Sequence, residues 1–196
     1  ERRDNIARMA KDDGLWAKTL DWLALAQERK YSYQFDWLGL PIIQYPQDIV
    51  AMQELVWSLK PDLVIETGIA RGGSAIFYAS LLELNALCGG PKGAEVVAVD
   101  IDIRAHNRKA IEAHPMSKRL TMIQGSSIDS GIVSQVKARA KGKSSVLVCL
   151  DSNHTHEHVL EELRAYAPLV SPGSYCVVFD TLVEDLPATA IGDRPW

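Results

Sequence analysis

Positive charge is in deficit: 21 Lys and Arg face 25 Asp and Glu, a formal net charge of −4 over 196 residues. A nucleic-acid site needs a basic face, so this balance gives no electrostatic case for one. Long apolar runs are lacking too. No stretch approaches the ~20 residues needed to cross a bilayer, and none resembles a signal peptide. Cysteine is scarce, three in all and odd in number. Cys149 and Cys176 lie within apolar, strand-like runs, where a reduced, buried thiol is the ordinary state. Neither G-x-G-x-x-G nor G-x-S-x-G occurs. The first absence argues against a dinucleotide site of the pyrophosphate-binding kind, and the second against a hydrolase nucleophile elbow. A cytoplasmic enzyme is expected.

What is present suits a single globular unit. The chain is 47% hydrophobic and 23% charged, enough apolar content for a sizeable core. Residues 1–30 carry apolar side chains at roughly helical spacing, among them Ile6, Met9, Leu15, Trp16, Leu20 and Leu23. Residues 31–46 are rich in aromatics and hold Gly39-Leu40-Pro41 and Tyr45-Pro46, which predicts an extended segment. Asp48 is placed to cap a helix that Pro61 ends. Apolar runs then alternate with helical patterns: strands over 63–66, 95–99, 120–124, 145–150 and 174–179, and helices over 73–87, 104–113, 129–140 and 156–166. Strands without polar alternation, separated by helices, predict an α/β fold with a parallel, Rossmann-like sheet covered on both faces. The expected organisation is a helical, lid-like extension over 1–47 and a ligand-binding domain over 48–196.

The most informative stretch is Glu66-Thr67-Gly68-Ile69-Ala70-Arg71-Gly72-Gly73-Ser74. It reads E-x-G-x-x-x-G at the end of an apolar strand, and Gly68 and Gly72 permit a tight strand-to-helix turn with backbone N–H groups near a ligand. The next strand ends on Asp100, placed to grip a ribose. The third is followed by Gly125-Ser126-Ser127, the fourth by Asp151-Ser152-Asn153-His154, and the fifth by Asp180-Thr181. In an open α/β sheet, ligands collect beyond the carboxyl ends of the strands. Helix caps would account for any one of these residues. They account less well for Asp151 and Asp180 together, because two carboxylates at neighbouring strand ends repel unless something cationic lies between them.

Over residues ~48–185 the chain resembles class I S-adenosylmethionine-dependent methyltransferases. In detail it resembles the cephalosporin hydroxylase-like group, which includes cephalosporin methoxylation proteins and rhamnosyl O-methyltransferases. The likeness rests on Trp37-Leu38-Gly39, the glycine motif, Val99-Asp100-Ile101-Asp102, Gln124-Gly125-Ser126-Ser127, Asp151-Ser152-Asn153-His154 and Val178-Phe179-Asp180. It implies an O-methyltransferase acting on a hydroxyl of a small molecule. Glu66 would take the amino group of S-adenosylmethionine, with Gly68 to Gly72 along its methionine tail and Ser74 at its carboxylate. Asp100 would bind the ribose hydroxyls, and Ser126 and Ser127 would flank the adenine. Asp151 and Asp180 would hold a divalent ion, Mg2+, with His154 as the base for the acceptor hydroxyl.

Catechol-type O-methyltransferases share this skeleton but place Asn directly after the second acid, where this chain has Thr181. The third protein ligand is therefore open, with Glu184 and Asp185 nearby in sequence. His156 and His158 read as solvated residues at a helix start, since they point to different faces. The aromatic stretch 31–45 reads equally as substrate cover, as core or as a subunit contact in a homo-oligomer. Two rivals stand beside the methyltransferase: a non-catalytic accessory protein that keeps the fold, and a nicotinamide-dependent oxidoreductase. The native polypeptide is expected to continue past Trp196, and the C-terminal hairpin that usually completes such sheets is expected to be missing.

Overall fold

A computed structural model describes residues 1–187. Five parallel strands form the central sheet: β3 (Leu63–Thr67), β4 (Glu95–Asp100), β5 (Leu120–Gln124), β6 (Val146–Leu150) and β7 (Cys176–Val178). Their spatial order is β5-β4-β3-β6-β7. The chain therefore winds outward from β3 to β5, then crosses back to lay β6 on the other side of β3. Neighbouring connections diverge at that reversal, leaving a crevice at the carboxyl ends of β3 and β6. Register is direct, with Glu66 opposite Ala98 on one side and Cys149 on the other. Every residue of β3 and β6 is buried, which is why these strands read as unbroken apolar runs.

Alternate strand residues supply two cores. Val64, Val96 and Leu147 pack with Phe77, Tyr78, Leu82 and Ile111 from α4 (Gly73–Leu87) and α5 (Ala105–Ala113). Leu63, Ile65, Val97 and Val148 face the opposite side, towards Val133 and Val136 of α6 (Ser130–Ala140) and Tyr166 of α7 (His156–Tyr166). Fully burying one such large side chain contributes about 1.5–3 kcal/mol. Glu66 follows Val64 by two and so turns to the α4 side of the sheet.

The N-terminal part differs from the expectation of one helix. Asp12 interrupts it: its side chain accepts from Leu15 N at 2.9 Å and starts α2 (Asp13–Glu28) afresh after α1 (Arg2–Met9). Most of the apolar side chains there, including Ile6, Met9, Leu15 and Trp16, remain exposed, whereas Leu23 and Ala26 are buried. The segment expected to be extended contains a short helical turn and the hairpin of β1 (Phe35–Trp37) and β2 (Leu40–Ile42). Leu38 and Gly39 join the strands, both at positive φ (48° and 90°), the geometry of a two-residue turn that matches strand twist. The next helix, α3, runs over Pro46–Leu59, with Pro46 in its first turn and Tyr45 at the N-cap position. Asp48 is thus inside the first turn and not the cap.

The extension is docked on the domain. Trp37 Nε1 donates to Ser80 Oγ at 3.0 Å, and its ring meets Phe77 edge-on at 4.8 Å between centroids. Among the described residues β7 pairs with β6 alone. The expectation of a missing hairpin bears partly on residues 188–196, which lie outside the described residues.

Candidate functional site

The turn after β3 is built by the loops around it. Gly68 has φ +93°, and a Cβ there would collide with the carbonyl oxygen of Asp151. Its N–H donates to Val99 O at 2.8 Å. Gly72 (φ +91°) ends the turn, where a side chain would run into Ile111. Both glycines are therefore required by the protein's own close approaches, beyond any approach of a ligand. Asp100 braces the same turn. Its Oδ2 accepts from Ile69 N (2.8 Å) and Ala70 N (2.9 Å), and its Oδ1 accepts from Asp102 N at 2.9 Å. Asn107 Nδ2 adds a bond to Ala70 O at 2.9 Å.

Glu66 is 1% exposed, and its Oε2 is buried with no hydrogen-bond partner among the described residues. Burial pushes its carboxyl up to about 8, opposed by a bond from the Ser74 side chain and reinforced by the charges of Asp151 and Asp100. A buried carboxyl with one oxygen unpartnered is costly unless a cation or donor meets it. A protonated amino group has the chemistry to do so, and Glu66 therefore fits the group expected of it. Ser74 turns its side chain to Glu66.

A second cluster forms where β6 and β7 end. Ligand atoms of Asp151, His154 and Asp180 all lie within 4.8 Å of one another. His154 Nε2 is 3.7 Å from Asp151 Oδ1 and 3.5 Å from Asp180 Oδ2. Burial, then Asp180, then Asp48 and Glu162 push the Asp151 carboxyl up to about 8, while Gln44, whose Nε2 sits 3.5 Å from Oδ2, pulls it down. Asp48 is raised as well, by burial and by Asp180. These carboxylates crowd together in the manner of a site made for a cation, and two acids with one imidazole fit a divalent ion. Glu184 and Asp185 fall outside this cluster, whereas His154, read from sequence as a base, falls inside it.

Several cavities border these residues, and two of them lie along the glycine turn. One, of about 190 Å3, is lined by Gly68, Ser74, Asp151, His154 and Asp180 below, and by Gln27, Tyr33, Gln44 and Tyr45 of the N-terminal extension above. Part of the aromatic stretch therefore covers the crevice, and part, Trp37, packs on α4. The other cavity, of about 220 Å3, is lined by Asp100, Ile101, Ser126, Ser127, Asn153 and His158. Gly68, Ala70, Asp151 and Ser152 border both, so the two cavities adjoin along the glycine turn.

His158 departs from its expectation of a solvated residue. Its side chain is 17% exposed and contacts Glu162, itself 1% exposed. Sequence reasoning passed over both. The signal was Glu162 and Tyr166, a polar pair spaced four apart on the buried face of an otherwise amphipathic helix.

Similarity to known proteins agrees with this architecture. The rhamnosyl O-methyltransferase from Mycobacterium tuberculosis (strain ATCC 25618 / H37Rv) is 31% identical over 166 residues, 82% of this chain and 62% of the relative. That from Mycobacterium leprae (strain TN) is 31% identical over 147 residues, 74% of this chain and 59% of the relative. The chain thus spans less than two thirds of the curated relatives it matches. In fold it resembles the solved structures "cmcI-D160 Mg-SAM" (TM-score 0.54, 17% identity, 76% of this chain and 59% of that one) and "cmcI-N160 SAH" (TM-score 0.53, 16% identity, 78% and 69%). The sequence model described as Rhamnosyl O-methyltransferase/CmcI matches residues 29–196, and the chain belongs to that family.

Proposed function

We propose that the protein is an S-adenosylmethionine-dependent O-methyltransferase that methylates a hydroxyl of a small molecule, a sugar or a related secondary metabolite, with the help of Mg2+. The observation that carries the reading is the meeting of Asp151, His154 and Asp180 beside the Glu66–Gly72 turn. The methyl donor lies with its amino group at Glu66, its tail along Gly68–Gly72 and Ser74, its ribose at Asp100 and its adenine by Ser126 and Ser127.

Asp151 and Asp180 would hold the ion, and a hard divalent cation there would supply Lewis-acid polarisation of the acceptor hydroxyl and offset the repulsion among the acids. His154 receives the hydroxyl proton. The acceptor oxygen forms its bond to the methyl carbon as the carbon–sulfur bond breaks, the electron pair stays on sulfur, and the products are a methyl ether, S-adenosylhomocysteine and a protonated imidazole. One Nε2 lone pair cannot both ligate and accept a proton. Mg2+ takes oxygen ligands and keeps its waters, which leaves His154 to the proton; a softer ion such as Mn2+ or Zn2+ would recruit the imidazole. The N-terminal cover excludes water and orients the acceptor, so that most of the rate gain comes from holding the reactants at attack distance.

The test is transfer of a labelled methyl group to a panel of rhamnosides and other polyols, with Mg2+ and with EDTA. Transfer that requires the metal supports the reading. Tight binding of S-adenosylmethionine with no transfer to any acceptor favours an accessory protein instead, and full-rate transfer in excess EDTA removes the metal from the mechanism.

A further inference from the structure

His158, Glu162 and Tyr166 are spaced four apart on α7 and form one stripe. All three are tied to the loops that follow β5 and β6. Tyr166, fully buried, donates from its hydroxyl to the backbone oxygen of Ser127 at 2.6 Å. His158 Nε2 lies 3.1 Å from Ser127 Oγ, 3.2 Å from Ser152 Oγ and 3.4 Å from Glu162 Oε1. Ser152 Oγ is 2.7 Å from Glu162 Oε1. Ser127 is 5% exposed and, with His158 and Ser152, walls the cavity beside Asp100.

Counting protons assigns each role. A carboxylate only accepts, so the single hydrogen of Ser152 goes to Glu162. The 3.2 Å contact of Ser152 Oγ with His158 is then a hydrogen bond only in the tautomer that carries its proton on Nε2. That N–H also faces Ser127 Oγ, which accepts in turn. In that tautomer the hydroxyl hydrogen of Ser127 is not taken up by His158, and the side chain borders the cavity. A buried hydroxyl held by its oxygen, with its hydrogen free, is a donor awaiting a ligand acceptor.

We propose that His158 and Glu162 are positioning residues which aim the Ser127 hydroxyl at a ring nitrogen of the purine, so that the site selects a nucleoside by that nitrogen. This rests on the placement of the methyl donor in the two cavities. The pair touches neither the reacting atoms nor the acid cluster that holds the ion. Its contribution is to hold Ser127 as a donor, and an apolar residue at position 158 would leave that hydroxyl free to rotate.

The test is calorimetric binding of S-adenosylhomocysteine and its 1-deaza, 3-deaza and 7-deaza congeners, each of which replaces one purine ring nitrogen by C–H. In the wild-type protein one congener is expected to bind about 5- to 30-fold more weakly than the parent, the effect of leaving one buried hydroxyl unpaired. That penalty is expected to fall within about twofold in Ser127→Ala and His158→Phe, and to persist in His158→Gln, which retains an N–H donor. Should His158→Phe not fold, Ser152→Ala, which removes only the bridging hydroxyl, is expected to shrink the penalty as well. Equal binding of all congeners by the wild type, or a penalty undiminished in His158→Phe or Ser152→Ala, overturns the inference alone. Failure of the wild type to bind S-adenosylhomocysteine at all overturns the placement of the donor, and this inference with it.

Discussion

Asp100 Oδ2 and the backbone N–H of Ala70 lie 2.9 Å apart, so the acid that ends β4 holds the turn that leaves β3. Three backbone N–H groups already use this carboxylate, and any ribose contact shares it with them. Asp100→Ala is therefore expected to do two things: weaken S-adenosylmethionine binding by about 2–3 kcal/mol, and destabilise the ligand-free fold by about 1 kcal/mol as the turn loses the bonds to Ile69 N and Ala70 N. Calorimetry and chemical denaturation read the two effects separately. Unchanged affinity in a folded variant would remove Asp100 from the ribose site while leaving its role in the turn.

The Asp151–His154–Asp180 cluster predicts stabilisation by a divalent ion. Mg2+ or Mn2+ is expected to raise the melting temperature of the wild type, increasingly with the logarithm of its concentration above Kd, and to have no such effect on Asp151→Asn or Asp180→Asn. S-adenosylhomocysteine should still bind in EDTA, because the contacts proposed for it at Glu66, Asp100 and the glycine turn do not involve the metal. A metal-induced shift that survives both substitutions would sink the assignment.

Glu66 predicts an unusual pH dependence. Its carboxyl is pushed up to about 8, first by burial, whereas the same group in the unfolded chain titrates near 4.5. Between these values the folded state holds a proton that the unfolded state has released, so stability falls as pH rises. The contribution is full below about pH 4.5 and is lost by about pH 8, in the window where Asp151, also pushed up to about 8, acts in the same direction. Ligand-free protein is expected to melt at higher temperature near pH 5.5 than near pH 8, with a shallower slope in Glu66→Gln. The same variant should bind S-adenosylhomocysteine more weakly. Parallel slopes in the two proteins would show that Glu66 does not titrate in this range.

Leu38 predicts a stabilising change. It sits at φ +48° in the two-residue turn before Gly39, with its side chain 58% exposed. A β-turn of this kind favours Asn at its first position, and a leucine there carries left-handed strain without burial to offset it. Leu38→Asn is expected to stabilise the protein by about 0.5–1 kcal/mol, as read by denaturant midpoint. The backbone contact of Leu38 O with His114 Nε2, at 3.1 Å, does not depend on the side chain.

The main domain was legible because its signals are local. α7 begins and ends where its pattern predicts, and β3 to β6 follow from short apolar runs between helices. The acids at the strand ends were legible for the same reason, since a parallel sheet presents all its carboxyl ends on one edge. The N-terminal extension was less so. Helical spacing of apolar residues there does not distinguish side chains that pack, such as Leu23, from those that remain exposed, such as Trp16. The His158–Glu162 pair was missed because histidines four to eight residues past a strand read as loop and helix-start residues. Only the packing of α7 against the Ser127 loop turns them inward.

By itself the sequence determined the order of strands and helices in the main domain, the glycine turn and the set of candidate site residues, because these depend on propensities and spacing over a few residues. The tertiary structure decided which of those residues meet. Gly68 must be glycine because the Asp151 loop, 83 residues later, passes against it. His154 joins the two acids because β7 is laid beside β6, and the N-terminal extension closes the cavity because Trp37 docks on α4. Such approaches between distant segments depend on how side chains fill the space between layers, and no local pattern records that.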